Sequence, residues 1–259
     1  MADTKISALT AAGAAALANE FAINEAGVSK KVTGTQLKTL VNTDPDFPAG
    51  SASAGTWPNL ASGTLLTTPE AGAVERDGDV WYMTRAASQR GLIPLEHIIL
   101  QDATYTLTST TSAQKLFDAS ANGALQLETG WYLFECILGI TSMSATIGNG
   151  QFQILGGGSA TLGGVLYQVL GIDNVSAGVA NQAGGWHVAS NTGASMVTAA
   201  ANTALGVSIR GSFEVTTAGT IIPSIALVTA AAAIISVGSY FRCHKVGAAG
   251  ANRTVGNWS

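Results

Sequence analysis

Gly211–Val246, GSFEVTTAGTIIPSIALVTAAAAIISVGSYFRCHKV, is the stretch that decides the fold, because it admits two readings. From Ile221 to Val237 it is apolar enough to be taken for a membrane span, which needs roughly 20 predominantly apolar residues. However, Pro223, Ser224, Thr229 and Ser236 interrupt the run, and Gly219 and Gly238 bound it. Its bulky members are mostly β-branched (Ile221, Ile222, Ile225, Val228, Ile234, Ile235, Val237). Such side chains pack on a pleated sheet better than on a helix. No basic cluster lies close on either side to set a membrane topology. The flanks alternate. In Ile209–Val215 one face carries Ile209, Gly211, Phe213 and Val215, and the other Arg210, Ser212 and Glu214. In Tyr240–Val246, Phe241 and Cys243 face one way and Arg242 and His244 the other, while Tyr240, Lys245 and Val246 blur the pattern. A period of two marks half-buried strands, so the stretch is sheet.

The same pattern continues upstream. Short strands are expected at Tyr105–Ser109, Ala124–Leu127, Trp131–Ile140, Gln151–Leu155, Val165–Ile172, Ala204–Val215, Ile221–Val228, Ala233–Val237 and Ser239–Val246. Gly and Asn turns separate them, and no convincing helix intervenes. This succession predicts a mainly β fold, an antiparallel sandwich or jelly roll over 98–246.

Composition bounds the function. The chain has 259 residues, 47% hydrophobic, with 31 glycines and a formal charge of −4. Charged residues make up only 11%, less than half the ~25% usual for a soluble domain. Neither nucleic acid nor an anionic membrane has an electrostatic case here. Residues 1–100 hold 7 Lys/Arg and 10 Asp/Glu, whereas the remaining 159 hold 5 and 6. A surface so poor in charge fits burial against identical copies, the alternative being a solvated, uncharged β surface. Cys136 and Cys243 both fall in expected strands, as buried thiols rather than a disulfide framework. Met1-Ala2-Asp3-Thr4-Lys5 does not lead into a signal-peptide core, so folding in a cytoplasm is expected.

Residues 1–42 form a small α+β module. Lys5-Ile6-Ser7-Ala8-Leu9 precedes an Ala-rich run, and Glu20–Asn24 and Val28–Val32 make a hairpin. Thr33 caps a helix expected over Thr35–Val41, which carries Leu37 and Leu40. So few apolar residues do not stabilise a free-standing domain, so the module must dock. Ile6, Leu9, Phe21, Ile23, Leu37 and Leu40 are the docking candidates. Residues 43–63 are a Pro/Gly/Ser/Ala-rich arm in which Phe47 and Trp57 are candidate anchors. In 64–97 a hairpin is expected, with strands Ala73–Arg76 and Val80–Thr84 flanking Asp77-Gly78. Residues 247–259 form a tail with Trp258 as an anchor.

Three segments carry a family resemblance. KISAL…ANEFAINEAGVSKKVTGTQLKTLV resembles an N-terminal module of tailed-bacteriophage tail fibres and related appendages. LTTPEAGAVERDGDVWYMT, followed by Arg85 and Arg90, resembles a hairpin that precedes C-terminal domains of phage virion proteins. GSFEVTTAGTI, then Pro223 and GSYFRC, resembles the closing strands of the tumour-necrosis-factor-like jelly rolls at phage fibre tips. The resemblance implies a homotrimer whose apolar and aromatic strand residues meet around the threefold axis. It also implies a virion location, partners among other tail or capsid proteins, and attachment to the host surface. Capsid decoration, or a head fibre, is the alternative.

Chemistry is sparse. His97, His187 and His244 lack metal-ligand spacing, and adjacent Cys243 and His244 project to opposite faces of a strand. No nucleophile elbow, P-loop or dinucleotide fingerprint is present. Gly156-Gly157-Gly158-Ser159 is a turn between strands rather than an anion cradle, since no helix pattern follows it. Arg85 and Arg90, beside Glu75, Asp77 and Asp79, are surface ion-pair partners rather than an anion site. Among Asp102, Asp118, Glu128, Glu135, Asp173 and Glu214 no spacing singles out a pair for glycoside cleavage. The expectation is a non-enzymatic protein without cofactor or metal. Trp186 and His187, in what reads as a Gly-rich loop, are the candidate contacts to a host surface glycan, with packing into core or interface as the other reading of Trp186.

Overall fold

A computed structural model describes residues 20–25, 28–36, 60–78, 80–86, 89–173, 183–188, 194–196 and 203–247. The chain divides into two compact units, residues 1–60 and 61–259. In the first, β1 (Glu20–Glu25) and β2 (Val28–Thr33) pair antiparallel, with Phe21 opposite Val32 and Ile23 opposite Lys30. Residues 34–36 are helical. The amide of Gln36 donates to Thr33 Oγ1 at 3.2 Å, and the Thr33 amide donates to Gln36 Oε1 at 2.9 Å. This reciprocal capping box is why the chain turns from strand to helix at Thr33. Ile6, Leu9, Leu37, Leu40, Phe47, Trp57 and Trp258 lie outside the described residues.

The second unit begins with β3 (Val74–Asp77), β4 (Val80–Thr84) and β5 (Arg90–Ile93), in the order β3-β4-β5. Asp77 pairs with Val80, so the first strand runs through Asp77 and the turn starts at Gly78, one residue later than the Asp-Gly pattern places it. Gly78 takes φ +59°, which favours glycine. The third strand was not expected from the sequence. Its Arg90 pairs with Glu75 at 2.8 Å, both side chains 11% exposed, and also donates to the Leu66 carbonyl at 2.6 Å. The Leu66 amide donates to Glu75 at 2.7 Å, so one ion pair pins the incoming chain to this small sheet. That backbone bond, then Arg90, holds the Glu75 carboxyl below its usual range despite an opposing desolvation.

The remaining strands make a sandwich of two antiparallel sheets. In chain order they are β6 (Glu96–Leu100), β7 (Tyr105–Thr106), β8 (Gln114–Lys115), β9 (Leu125–Leu127) and β10 (Gly130–Thr141). Next come β11 (Gly150–Gly157), β12 (Thr161–Asp173), β13 (Ala183–Val188) and β14 (Ala194–Ser195). The last four are β15 (Leu205–Thr217), β16 (Gly219–Leu227), β17 (Ile234–Ile235) and β18 (Tyr240–Gly247). The large sheet runs β13-β12-β15-β10-β18-β6, with β17 and then β7 also flanking β10 beyond β18. The small sheet runs β14-β11-β16, with β8 and β9 on the far side of β16.

The opening stretch therefore crosses between the sheets, β15 in the large, β16 in the small, β17 and β18 back in the large. Among the described residues no helix is long and apolar enough to cross a membrane. Pro223 is tolerated in β16 for a geometric reason. A strand residue points its N–H and C=O to the same side, and the Pro223 carbonyl accepts from the Leu116 amide at 3.0 Å. The missing N–H thus faces the gap between β9 and β8, and the ladder to β11 loses nothing. The blurred pattern near Val246 is a bulge. Tyr132 pairs with Lys245 but Trp131 with Gly247, leaving Val246 as the extra residue.

The core lies between the sheets. Phe134 sits 6.2 Å from Phe152 of the opposite sheet, 5.7 Å from Phe213 and 5.5 Å from Phe241. Tyr167 packs edge-on to Phe152 and donates its hydroxyl to the Phe152 carbonyl at 2.9 Å, joining the two layers. Gly211 faces Tyr167 at close range, where an added Cβ would meet the Leu166 carbonyl oxygen at 2.2 Å. Cys136 and Cys243 are free and buried. Burial pushes the Cys136 thiol well up and Cys243 up to about 12, so neither is a reactive thiolate.

Candidate functional site

Period-two alternation gives the large sheet an outer face as well as an inner one. Register aligns that outer face in rows across the strands. In the central row Ile98, Arg242, Glu135, Arg210 and Gln168 are successive partners. On one side lie Leu100, Tyr240, Ile137, Ser208 and Leu170, and on the other Glu96, His244, Leu133, Ser212 and Leu166. Six large aliphatic side chains stand exposed on this one face: Ile98, Leu100, Leu133, Leu166, Leu170 and Ile172, between 39% and 56%. Singly exposed apolar residues are ordinary, but a contiguous set on one sheet face marks an interaction surface.

The charges at the centre of the face are few and paired with one another. Arg242 lies 3.2 Å and Arg210 3.1 Å from Glu135, and Arg242 also reaches Glu96 at 3.7 Å. The Tyr240 hydroxyl donates to Glu135 Oε1. That hydrogen bond first, then the two guanidinium groups, holds the Glu135 carboxyl below its usual range against partial desolvation. The same bond raises Tyr240, since ionising the phenol beside a carboxylate is unfavourable. Glu135 is well covered, at 17% side-chain exposure, while Arg210 keeps 71%. The result is an alternating Glu96–Arg242–Glu135–Arg210 ladder set in an aliphatic field. Two shallow hollows flank it, about 120 Å³ beside Leu133 and His244 and about 230 Å³ between Leu170, Ser208 and Arg210.

What this face offers is a set of exposed aliphatic side chains around paired charges, the chemistry of association. Among the described residues no group of three or more His, Cys, Asp or Glu is placed to hold a metal ion. Trp186 and His187, expected in a loop, lie instead in β13, where Trp186 is the register partner of Gln168 and His187 of Tyr167. The Gly184-Gly185 pair hides this strand from a sequence reading, yet those glycines pair through their backbones with Leu170 and Val169. Phe21 and Ile23 occupy alternate positions of β1. The sequence reading placed Arg210 and Arg242 on outer faces but not Glu135 between them, because cross-strand register is not written in a single sequence. No protein-family model matches the chain, and no characterised protein is significantly similar to it.

Proposed function

We propose that this chain is a non-enzymatic structural protein of a tailed-phage virion. In this reading it is a short tail fibre or spike whose sandwich is a homotrimeric jelly-roll tip used in host-surface attachment. The observation that carries the oligomer is the outer face of the large sheet. Covering each of its six half-exposed aliphatic side chains contributes about 1 kcal/mol, half of the ~1.5–3 kcal/mol of a fully buried one. Their sum, roughly 6 kcal/mol per copy, falls within the ~4–15 kcal/mol range of association costs, so the face becomes effective when each copy contributes its own. The neutralised ladder lets the centre of the face be covered without stranding its charges. The virion assignment is supported by the fibre-like N-terminal motif and the hairpin string.

Light scattering on the full chain should give three times the 26.2 kDa monomer mass. A monomer would overturn the oligomer. Deleting residues 101–259 from the phage-borne protein should abolish adsorption; unchanged adsorption by intact particles would remove the attachment role. A second reading is a capsid decoration or head-fibre protein, which reuses the same modules. Copy number per particle separates the two, with hundreds expected for a capsid protein and tens or fewer for a tail fibre.

A further inference from the structure

A second site lies away from the sheet face, where the three-stranded sheet β3-β4-β5 meets the open end of the sandwich. A cleft of about 270 Å³ opens there. Trp81, Ile93 and Leu95 form its apolar side, and Leu95 is 53% exposed at the rim. Gln126, Glu128, His97 and Lys245 also line it, and Arg76 lies over the Trp81 ring. We infer that this cleft binds a single neutral pyranose unit, with the ring's C–H face on the Trp81–Leu95 side and its hydroxyls on the Gln126–Glu128 side.

The lining selects this ligand chemistry. An apolar wall opposite a few placed polar groups is the usual make-up of a small-molecule site. The polar side mixes signs: the Glu128 carboxylate accepts, while Lys245 and Arg76 donate. Gln126 accepts from the Thr220 hydroxyl at 3.2 Å through Oε1, which fixes the amide and leaves its NH₂ group as a donor. Among the described residues neither the Glu128 carboxylate nor the His97 ring has a hydrogen-bond or ion-pair partner. A hydroxyl both donates and accepts, so a polyol edge meets such a wall. A phosphate or sulfate would give the Glu128 carboxylate an anion instead of a donor, and a purely apolar ligand would strand these groups. The volume lies just under the ~300 Å³ lower end of small-molecule sites, which suits one sugar ring and not an extended chain. Arg76 is held in place, its Nε donating to the Gly78 carbonyl at 2.8 Å and its guanidinium carbon 5.9 Å from the Trp81 ring centre. Tyr132 donates to the Glu128 backbone carbonyl at 2.9 Å and so fixes the base of the polar side.

This site deepens the attachment reading and rests on it for where the sugar comes from, though not for the binding itself. The test is saturation-transfer NMR on the full chain with methyl glycosides of glucose, galactose, mannose and N-acetylglucosamine. At least one is expected to receive saturation, strongest at its C–H face. Glu128→Ala and Gln126→Ala alter exposed side chains and should each weaken that ligand about tenfold, with unchanged melting. No transfer to any glycoside, or undiminished transfer in both variants, would overturn the inference. Glycoside binding combined with normal adsorption after deletion of 101–259 would support the cleft and sink the attachment role. Lost adsorption without glycoside binding would do the reverse.

Discussion

The two outer faces of the sandwich are built from equally charge-poor sequence, yet they differ in kind. On the small sheet the outward positions of β11 and β16 include Gln151, Gln153, Leu155, Thr220, Ile222, the covered Ser224 and Ala226, and none of the exposed large apolar side chains lies on these strands. On the large sheet the equivalent positions carry six such side chains around an Arg–Glu–Arg ladder. Low charge therefore does not identify a buried face. Amides and hydroxyls stand among partly covered apolar groups on one face, while largely exposed aliphatic groups make the other costly to leave uncovered. Composition had left both readings open, burial against copies and a solvated uncharged surface. The small-sheet face has the make-up of the second, and the large-sheet face carries the exposed aliphatic groups that the first, as proposed above, would cover.

The strongest way to break this comparison is to put charge on each face in turn. Leu133→Arg combined with Leu170→Arg places two cations where the large sheet would meet another copy. Light scattering should report a fall from oligomer to monomer, and circular dichroism an unchanged β fold. Gln153→Arg on the small sheet should leave the mass unchanged. Equal dissociation by both substitutions would erase the distinction between the faces.

Much of the sandwich was legible because half-buried strands announce themselves. β10 and β15, and β18 ahead of its bulge, alternate between buried and outward residues, as in Tyr132, Phe134, Cys136 and Leu138 against Leu133, Glu135 and Ile137. β6 was missed because Ile98, Ile99 and Leu100 are apolar on both faces, so the period of two is lost. That loss is itself the signal of a face awaiting cover, but it is recognisable only once Ile99 is seen inside and its neighbours outside. β13 was missed because its glycines look like turn punctuation. The ladder was out of reach for another reason. Residues 135, 210 and 242 meet only through two independent registers, and the sugar cleft likewise gathers Trp81, Glu128 and Lys245 from distant segments.

A smaller effect is expected at the ladder. Glu135→Gln removes the carboxylate that neutralises Arg210 and Arg242. Both arginines are well exposed, so the loss should be about 1 kcal/mol per subunit, or roughly 2–4 °C in Tm. A Tm unchanged at neutral pH would show that the ladder contributes nothing to the fold or to its assembly. Acid should reproduce the substitution. The folded Glu135 pKa is depressed below the ordinary glutamate value, so its stabilisation is fully present above that ordinary value and is lost as pH falls through the folded one. Melting curves of wild type and Glu135→Gln, followed from about pH 7 to pH 3, should therefore converge at the acid end. Glu75, depressed by the Leu66 amide and Arg90, titrates in both proteins and leaves a common residual slope. Parallel curves would mean that Glu135 is not the titrating group.

The finest distinction is between the hydrogen bond and the charges. Tyr240→Phe keeps both arginines and the carboxylate but removes the hydroxyl that is the largest single cause of the Glu135 depression. The folded pKa should move back toward the ordinary glutamate value without reaching it, because Arg242 and Arg210 still act. At neutral pH the variant should therefore melt between wild type and Glu135→Gln, by a few tenths to about 1 kcal/mol below wild type. Its acid loss should be shallower than that of wild type and steeper than that of Glu135→Gln. The oligomer mass should not change, since Tyr240 lies in a row whose apolar members, Leu100, Ile137 and Leu170, are untouched. Dissociation on loss of this one hydroxyl would mean that the polar ladder, not the aliphatic field, holds the large sheet to its partner.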